Sequence, residues 1–230
     1  MSETILFWDI DGTLLTTARA GVFALEEAAT QVCGGRPDLA ALKTSGLTDS
    51  EVATLAIEAC GERPTPSRVS AFLRSYERHL PDRLHWRRGH VLPGVVEALE
   101  HLADRPGVKC LLLTGNTRTG ADAKLRHYGL AHYFADGAFC ADGDDRTVIA
   151  RRAHALIRLH CDTSADSATF VIGDTPDDVR CGRAIGARTI AVATGAHGAD
   201  ELASTGAWLV LDAIPPPPKF CDMLRISAAP

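Results

Sequence analysis

Short, unbroken apolar runs punctuate the chain, each stopping at a polar turn. Thr4–Ile10 is the first, Val108–Thr114 the second, Ala168–Ile172 the third, and Thr189–Val192 and Trp208–Leu211 follow. Continuous rather than alternating hydrophobicity marks strands buried on both faces. Between them the period changes to that of a helix. Val95, Leu99 and Leu102 share one helical face, and Thr119–Tyr128 stops at Gly129. A third amphipathic stretch runs over Val148–Leu159, and Thr175-Pro176 sets a capping residue before a proline at the first helical position. Alternating strands and helices predict an α/β fold with a Rossmann-like parallel sheet covered on both faces.

One stretch breaks the alternation. From Thr17 to Val91 the pattern is helical throughout: Ala20–Val32 ends at Gly34-Gly35, Thr48-Asp49-Ser50-Glu51 has the form of a capping box, and Thr65-Pro66 opens a helix carrying Val69, Phe72, Leu73, Tyr76 and Leu80. The expected organisation is a core made of residues 1–16 and 92–230, split by an inserted α-helical cap over residues 17–91 that covers the strand ends. Pro93-Gly94 marks the return to the core. The four prolines Pro215–Pro218 read as a rigid spacer at the end of the domain.

Composition narrows the class. Of 230 residues, 46% are hydrophobic and 23% charged, the mix of a soluble globular protein, and the net charge of −5 argues against nucleic acid or an anionic membrane as partner. No apolar run approaches the roughly 18 residues that span a bilayer, and Met1-Ser2-Glu3-Thr4 lacks the basic start of a signal peptide. The seven cysteines form no CxxC pair and read as buried thiols in a reducing compartment, so the expected location is cytoplasmic.

In parallel sheets ligands bind at the carboxyl ends of the strands, and three runs end in useful chemistry. Asp9 and Asp11 leave the first strand on one side, two residues apart. Carboxylates about 4 Å apart repel by about 4 kcal/mol at an effective dielectric near 20. Either a cation sits between them or one stays protonated. Gly12 permits a turn whose amides face an anion. Thr114, Gly115 and Asn116 end the second strand with a hydroxyl, an amide and a carboxamide, an anion-binding set. Asp174 ends the third strand, and with Asp9 it meets the demand of a hard cation such as Mg²⁺. Asp177 and Asp178 fall in the first turn of the next helix, where the helix dipole alone favours acids.

Together, Asp9-x-Asp11-Gly12-Thr13-Leu14, Leu113-Thr114-Gly115-Asn116 and Gly173-Asp174-Thr175-Pro176-Asp177-Asp178 resemble the haloacid dehalogenase-like superfamily. The helical insert is similar to that family's C1-type cap, and Leu92-Pro93-Gly94, Lys124-Leu125 and Ile185-Gly186-Ala187 look like its phosphoglycolate-phosphatase-like branch. The resemblance implies a Mg²⁺-dependent phosphatase of a small phosphorylated metabolite, with phosphoglycolate as the first candidate. Asp9 would be the nucleophile and Asp11 the general acid and base. Thr114 and Gly115 would hold the phosphoryl oxygens. Asp9, Asp11 (through its backbone carbonyl), Asp174 and Asp178 would hold the metal, with Asp177 the weaker choice. Gly12, Thr13, Asn116 and Thr48 complete the expected substrate-binding set.

The family usually places a lysine between its second and fourth motifs, and this chain has none between Lys124 and Lys219. Lys124 follows Thr114 too closely for that role, so Arg146 is expected to supply the charge. The basic run Arg78–His90 could steer phosphorylated substrates, although a solvated surface stretch is the better account of it. The alternatives are a phosphosugar mutase of the same superfamily, a dehalogenase, which needs no acid at Asp11, and a non-catalytic interaction protein. A monomer or homodimer is expected.

Overall fold

The computed structural model describes residues 3–39, 43–160 and 167–226. Strand β1 (Thr4–Trp8) lies at the centre of a sheet with β4 (Val108–Thr117) on one side and β6 (Ala168–Gly173) on the other. Next to β4 lies β5 (Gly137–Cys140), and beyond β6 come β7 (Arg188–Val192) and β8 (Leu209–Leu211), every neighbour parallel. Taken in chain order, the sheet strands run 3-2-1-4-5-6, so the order reverses at β1.

The alternation of side chains along β1 builds a core on each face. Leu6 and Trp8 pack with α4 (Val95–Ala103), α5 (Arg118–His127) and α9 (Pro217–Leu224), while Ile5 and Phe7 pack with α6 (Arg146–His160) and α7 (Pro176–Ala184). All four side chains are fully buried. The proline run does not act as a spacer. Its third proline opens α9, which seats Phe220 6.0 Å from the Trp8 ring. Proline suits the first turn of a helix because the amide it lacks has no partner there. Strand β5 and the short α8 (Ala199–Ser204) are also elements the sequence pattern did not announce.

After β1 the chain forms the short β2 (Leu15–Thr16), then α1 (Ala20–Cys33), α2 (Asp49–Ala59) and α3 (Pro66–Leu84), and returns through β3 (His90–Val91). Strands β2 and β3 pair antiparallel, Leu15 opposite Val91, closing the two chain crossings into one ribbon. The three helices share an apolar cluster of their own: Ala24 and Ala28 of α1, Ala53 and Ile57 of α2, Phe72 and Leu80 of α3. Alanines on α1 let α3 approach closely. The capping box is present on both sides, with the Thr48 hydroxyl accepting from Glu51 N and the Glu51 carboxylate accepting from Thr48 N. Of the expected free thiols, Cys140, Cys181 and Cys221 are buried and Cys33, Cys60 and Cys110 half-buried. Cys161 lies outside the described residues. Among the described residues no helix is long and apolar enough to cross a membrane.

Candidate active site

The carboxyl ends of β1, β4 and β6 converge at the point where the strand order reverses. Asp9 and Asp174 follow β1 and β6 directly, and Asp178 lies in the first turn of α7. All three are buried, and each offers a carboxylate oxygen within 4.8 Å of the others. Burial pushes the Asp9 carboxyl well above the usual range. Repulsion from Asp178 and Asp174 adds to this, against the pull of Arg146. Asp174 is driven up to about 7, first by burial and then by Asp178. Burial also raises Asp178, although Arg146 and Thr175 counter it. Three buried acids under this strain form an all-oxygen donor set that fits a hard divalent cation.

Glycines make the crowding possible. A Cβ on Gly12, whose φ is +82°, would lie 2.4 Å from Asp174 Oδ2, and one on Gly195 would lie 1.7 Å from the same atom. A Cβ on Gly173 would strike Asp178. Thr13, itself buried, donates from its hydroxyl to Asp174 Oδ1 at 3.1 Å, and the Asp178 carboxylate accepts from the Thr175 hydroxyl at 2.7 Å and from its amide at 3.0 Å. Asp174 and Asp178 are therefore each held by hydroxyl or amide donors at short range.

The second group faces the cavity beside them. The side chain of Asp11 is 42% exposed, and its Oδ2 accepts from Asn116 Nδ2 at 2.9 Å and from Lys124 Nζ at 2.5 Å. Lys124 also donates to Asn116 Oδ1 at 2.5 Å, which closes a three-residue ring. The Asn116 carboxamide further donates to Thr114 Oγ1 at 2.8 Å. Burial alone would lower the pKa of the Lys124 ammonium, but Asp11, with Tyr76 and Asp49, reverses this and holds it above the usual lysine value.

Spacing in the sequence argued against Lys124, yet the structure puts it here. It is six residues into α5, and the helix carries its buried face back across the end of β4. Arg146 sits where it was expected, as the first residue of α6. Its Nη1 lies 3.3 Å from Asp178 Oδ1, and its Nε donates to Gly46 O at 2.8 Å, linking α7 to the segment before α2. Burial opposes its charge, and Asp178 and Asp9 more than restore it.

Two expectations need correction. The Thr48 hydroxyl is fully buried and committed. It donates to Asp144 O at 2.9 Å while capping α2, so it has nothing left for a substrate. The Gly12 amide donates to Leu15 O at 2.9 Å and that of Thr13 to Ile10 O, so neither faces an anion. Gly12 serves through the side chain it lacks, and Thr13 through its hold on Asp174. The basic run lies elsewhere on the surface, with Arg83 paired to Glu27 and Arg87 over the Phe23 ring. Asp177 pairs with Arg180 and stays outside the carboxylate cluster.

Asp9, Asp11, Gly115, Asn116, Lys124, Arg146 and Thr175 line one side of a cavity of about 280 Å³. The other side comes from the helical segment, including Val22, Leu25, Gly46, Leu47, Asp49, Val52 and Tyr76. Gly115 permits the closest approach of the two sides, since a Cβ there would lie 2.7 Å from Leu47 O. Asp49 belongs to the capping sequence of α2 and also reaches α5. Its Oδ2 accepts from Thr117 N at 2.7 Å at the start of α5, and burial drives its pKa up to about 6.

The haloacid dehalogenase-like hydrolase family model matches residues 6–183. This chain belongs to that family. It is 28% identical over 222 residues to Probable phosphatase IndB of Dickeya dadantii (strain 3937), covering 91% of this chain and 90% of that protein. The fold is similar to that of a predicted phosphatase from Clostridium acetobutylicum, with a TM-score of 0.72 at 19% identity over 98% of this chain and 99% of that one. It is also similar to a predicted phosphoglycolate phosphatase from Haemophilus somnus 129PT, with a TM-score of 0.71 at 17% identity over 99% and 98% of the two chains. The motifs that suggested the family thus stand on a chain that carries its fold.

Proposed function

We propose that this hydrolase is a Mg²⁺-dependent phosphatase of a small phosphorylated metabolite, working through a phosphoryl group carried on Asp9. One observation carries the reading. Three buried carboxylates, Asp9, Asp174 and Asp178, meet within 4.8 Å of one another, and Asp9 lines a partly open cavity together with the buried Lys124 and the largely buried Arg146. Asp9, Asp174, Asp178 and the backbone carbonyl of Asp11 would hold the metal. When bound, it supplies the positive charge that lets a carboxylate nucleophile and a phosphate dianion share the site.

In this reading Asp9 attacks phosphorus and forms an acyl phosphate as the ester oxygen leaves. Asp11 protonates that oxygen, then takes a proton from the water that releases phosphate. Its Oδ2 is tied down by Asn116 and Lys124, so Oδ1 is the atom that exchanges the proton. The Thr114 hydroxyl accepts from Asn116, which leaves its own proton for a phosphoryl oxygen. The Gly115 amide and the Lys124 and Arg146 charges act on the same group, preorganised by their other contacts. Residues 17–91 act as a cap that closes over the substrate and excludes water, with residues 1–16 and 92–230 as the core.

The test is phosphate release from p-nitrophenyl phosphate and a panel of metabolite phosphates, with Mg²⁺ and with EDTA. Release that requires Mg²⁺ supports the reading, and release that survives EDTA removes the metal role. Isomerisation of a hexose phosphate without release of phosphate would identify a mutase instead.

A further inference from the structure

The two walls of the cavity differ in charge. The cations that line it, Lys124 and Arg146, both come from the phosphate-handling side. The facing wall is built from Val22, Leu25, Leu47, Val52 and Tyr76, and its one charged member is an acid, Asp49. Thr17, Thr44 and Ser45 add hydroxyls. Arg19 and Lys43, the cations flanking this wall in the sequence, are exposed and do not line the cavity. The undescribed residues 40–42 contain neither lysine nor arginine. An anion leaving water for such a wall finds no cation on it, the nearest, Lys124, is already bonded to Asp11 and Asn116, and an acid already stands there. An apolar group loses nothing on entering and gains roughly fourfold in binding for each buried methylene.

We propose that the leaving alcohol of the substrate is uncharged and presents an apolar or aromatic face to this wall, and that esters bearing a carboxylate, phosphoglycolate among them, are poor substrates. This rests on the phosphatase reading and goes beyond it by naming the substrate class. Specificity then lies with Val22, Leu25, Val52 and Tyr76, and Asp49 repels acidic competitors.

The experiment compares two non-hydrolysable probes by calorimetry on the full chain with Mg²⁺. Benzylphosphonate mimics phenyl phosphate, and 3-phosphonopropionate mimics phosphoglycolate. Benzylphosphonate should bind at least tenfold more tightly. Equal affinity, the reverse order, or failure of both to bind at millimolar concentration overturns the proposal. Leu25→Arg should move the ratio towards the carboxylate probe, and a ratio unchanged in a folded variant counts against the wall. Turnover separates this inference from the reading beneath it. The expected binding order without phosphate release from any ester supports the wall and defeats the hydrolase. A higher kcat/KM for phosphoglycolate than for phenyl phosphate supports the hydrolase and defeats the wall.

Discussion

Lys124 Nζ lies 2.5 Å from Asp11 Oδ2, across 113 residues of sequence. The ammonium is buried and bonded to the proposed acid–base group on one side and to Asn116 on the other. In the proposed mechanism, Lys124→Met removes a charge that acts on the transferring phosphoryl group, and it leaves Asp11 without its ion-pair partner. We expect kcat to fall on the order of 10²–10³-fold, with the folded circular-dichroism spectrum kept. Lys124→Arg should not restore it, because a planar guanidinium cannot occupy the point between Asp11 and Asn116. Steady-state kinetics of the two variants decide this.

Asp9→Asn should abolish turnover, and in EDTA it should raise Tm. Burial together with Asp178 and Asp174 works against the charge of Asp9, so a neutral isostere relieves the cluster. A lower Tm for the variant, measured by thermal unfolding, would mean that Asp9 is already compensated in the metal-free protein.

The same repulsion predicts a strong response to metal. Mg²⁺ at about a hundred times its Kd adds about 2.7 kcal/mol, which for a chain of this size raises Tm by roughly 5–10 °C. Asp174→Asn should remove most of that shift. Differential scanning calorimetry with and without Mg²⁺ reads both effects.

Asp49 joins α2 to Thr117 N at the head of α5. Its pKa in the fold is about 6, against an ordinary 3.8, so the fold favours the neutral carboxyl. The charged form therefore costs stability above about pH 6, and that cost disappears as the pH falls below 4. Asn keeps the acceptor and removes the charge. Asp49→Asn should be more stable than the parent by on the order of 3 kcal/mol at pH 8, and close to it at pH 4. Urea unfolding at the two pH values measures the difference.

Arg146→Ala breaks two contacts, one with Asp178 in α7 and one with Gly46 O just before α2. It should raise KM as well as lower kcat, whereas Arg146→Lys keeps the charge and recovers part of kcat only. A KM unchanged in both variants would confine Arg146 to the chemical step.

The parallel strands and the Asp9, Asp11 and Asp174 positions were legible because a buried strand ending at a carboxylate leaves a local signature. The meeting of Asp9 and Asp174 follows from the adjacency of β1 and β6 in a parallel sheet, and the first turn of α7 adds Asp178. Lys124 was not legible, since its place depends on how α5 leans back over β4, a tertiary fact that linear spacing misjudges. Thr48 failed for the opposite reason: its local signal was a helix cap, and the cap uses up the hydroxyl. The proline run failed because four prolines read as a stop, yet the third begins a helix whose Phe220 finds Trp8. Asp49 stands in a capping sequence, and its bond from Thr117 N and its place in the cavity wall are tertiary facts that the capping pattern does not carry.

The central claim is that Asp9 carries the phosphoryl group, and chemical trapping tests it most directly. The wild-type chain is mixed with p-nitrophenyl phosphate labelled in its phosphoryl group and with Mg²⁺, and quenched in acid within one turnover; one portion is assayed for protein-bound label, and a second is reduced with borohydride, which expels the phosphate, and mapped by mass spectrometry. An acyl phosphate on Asp9 is reduced to homoserine at position 9, and the label and homoserine are both absent from Asp9→Asn. Label on another residue, or turnover with no covalent phosphoenzyme, would contradict the account.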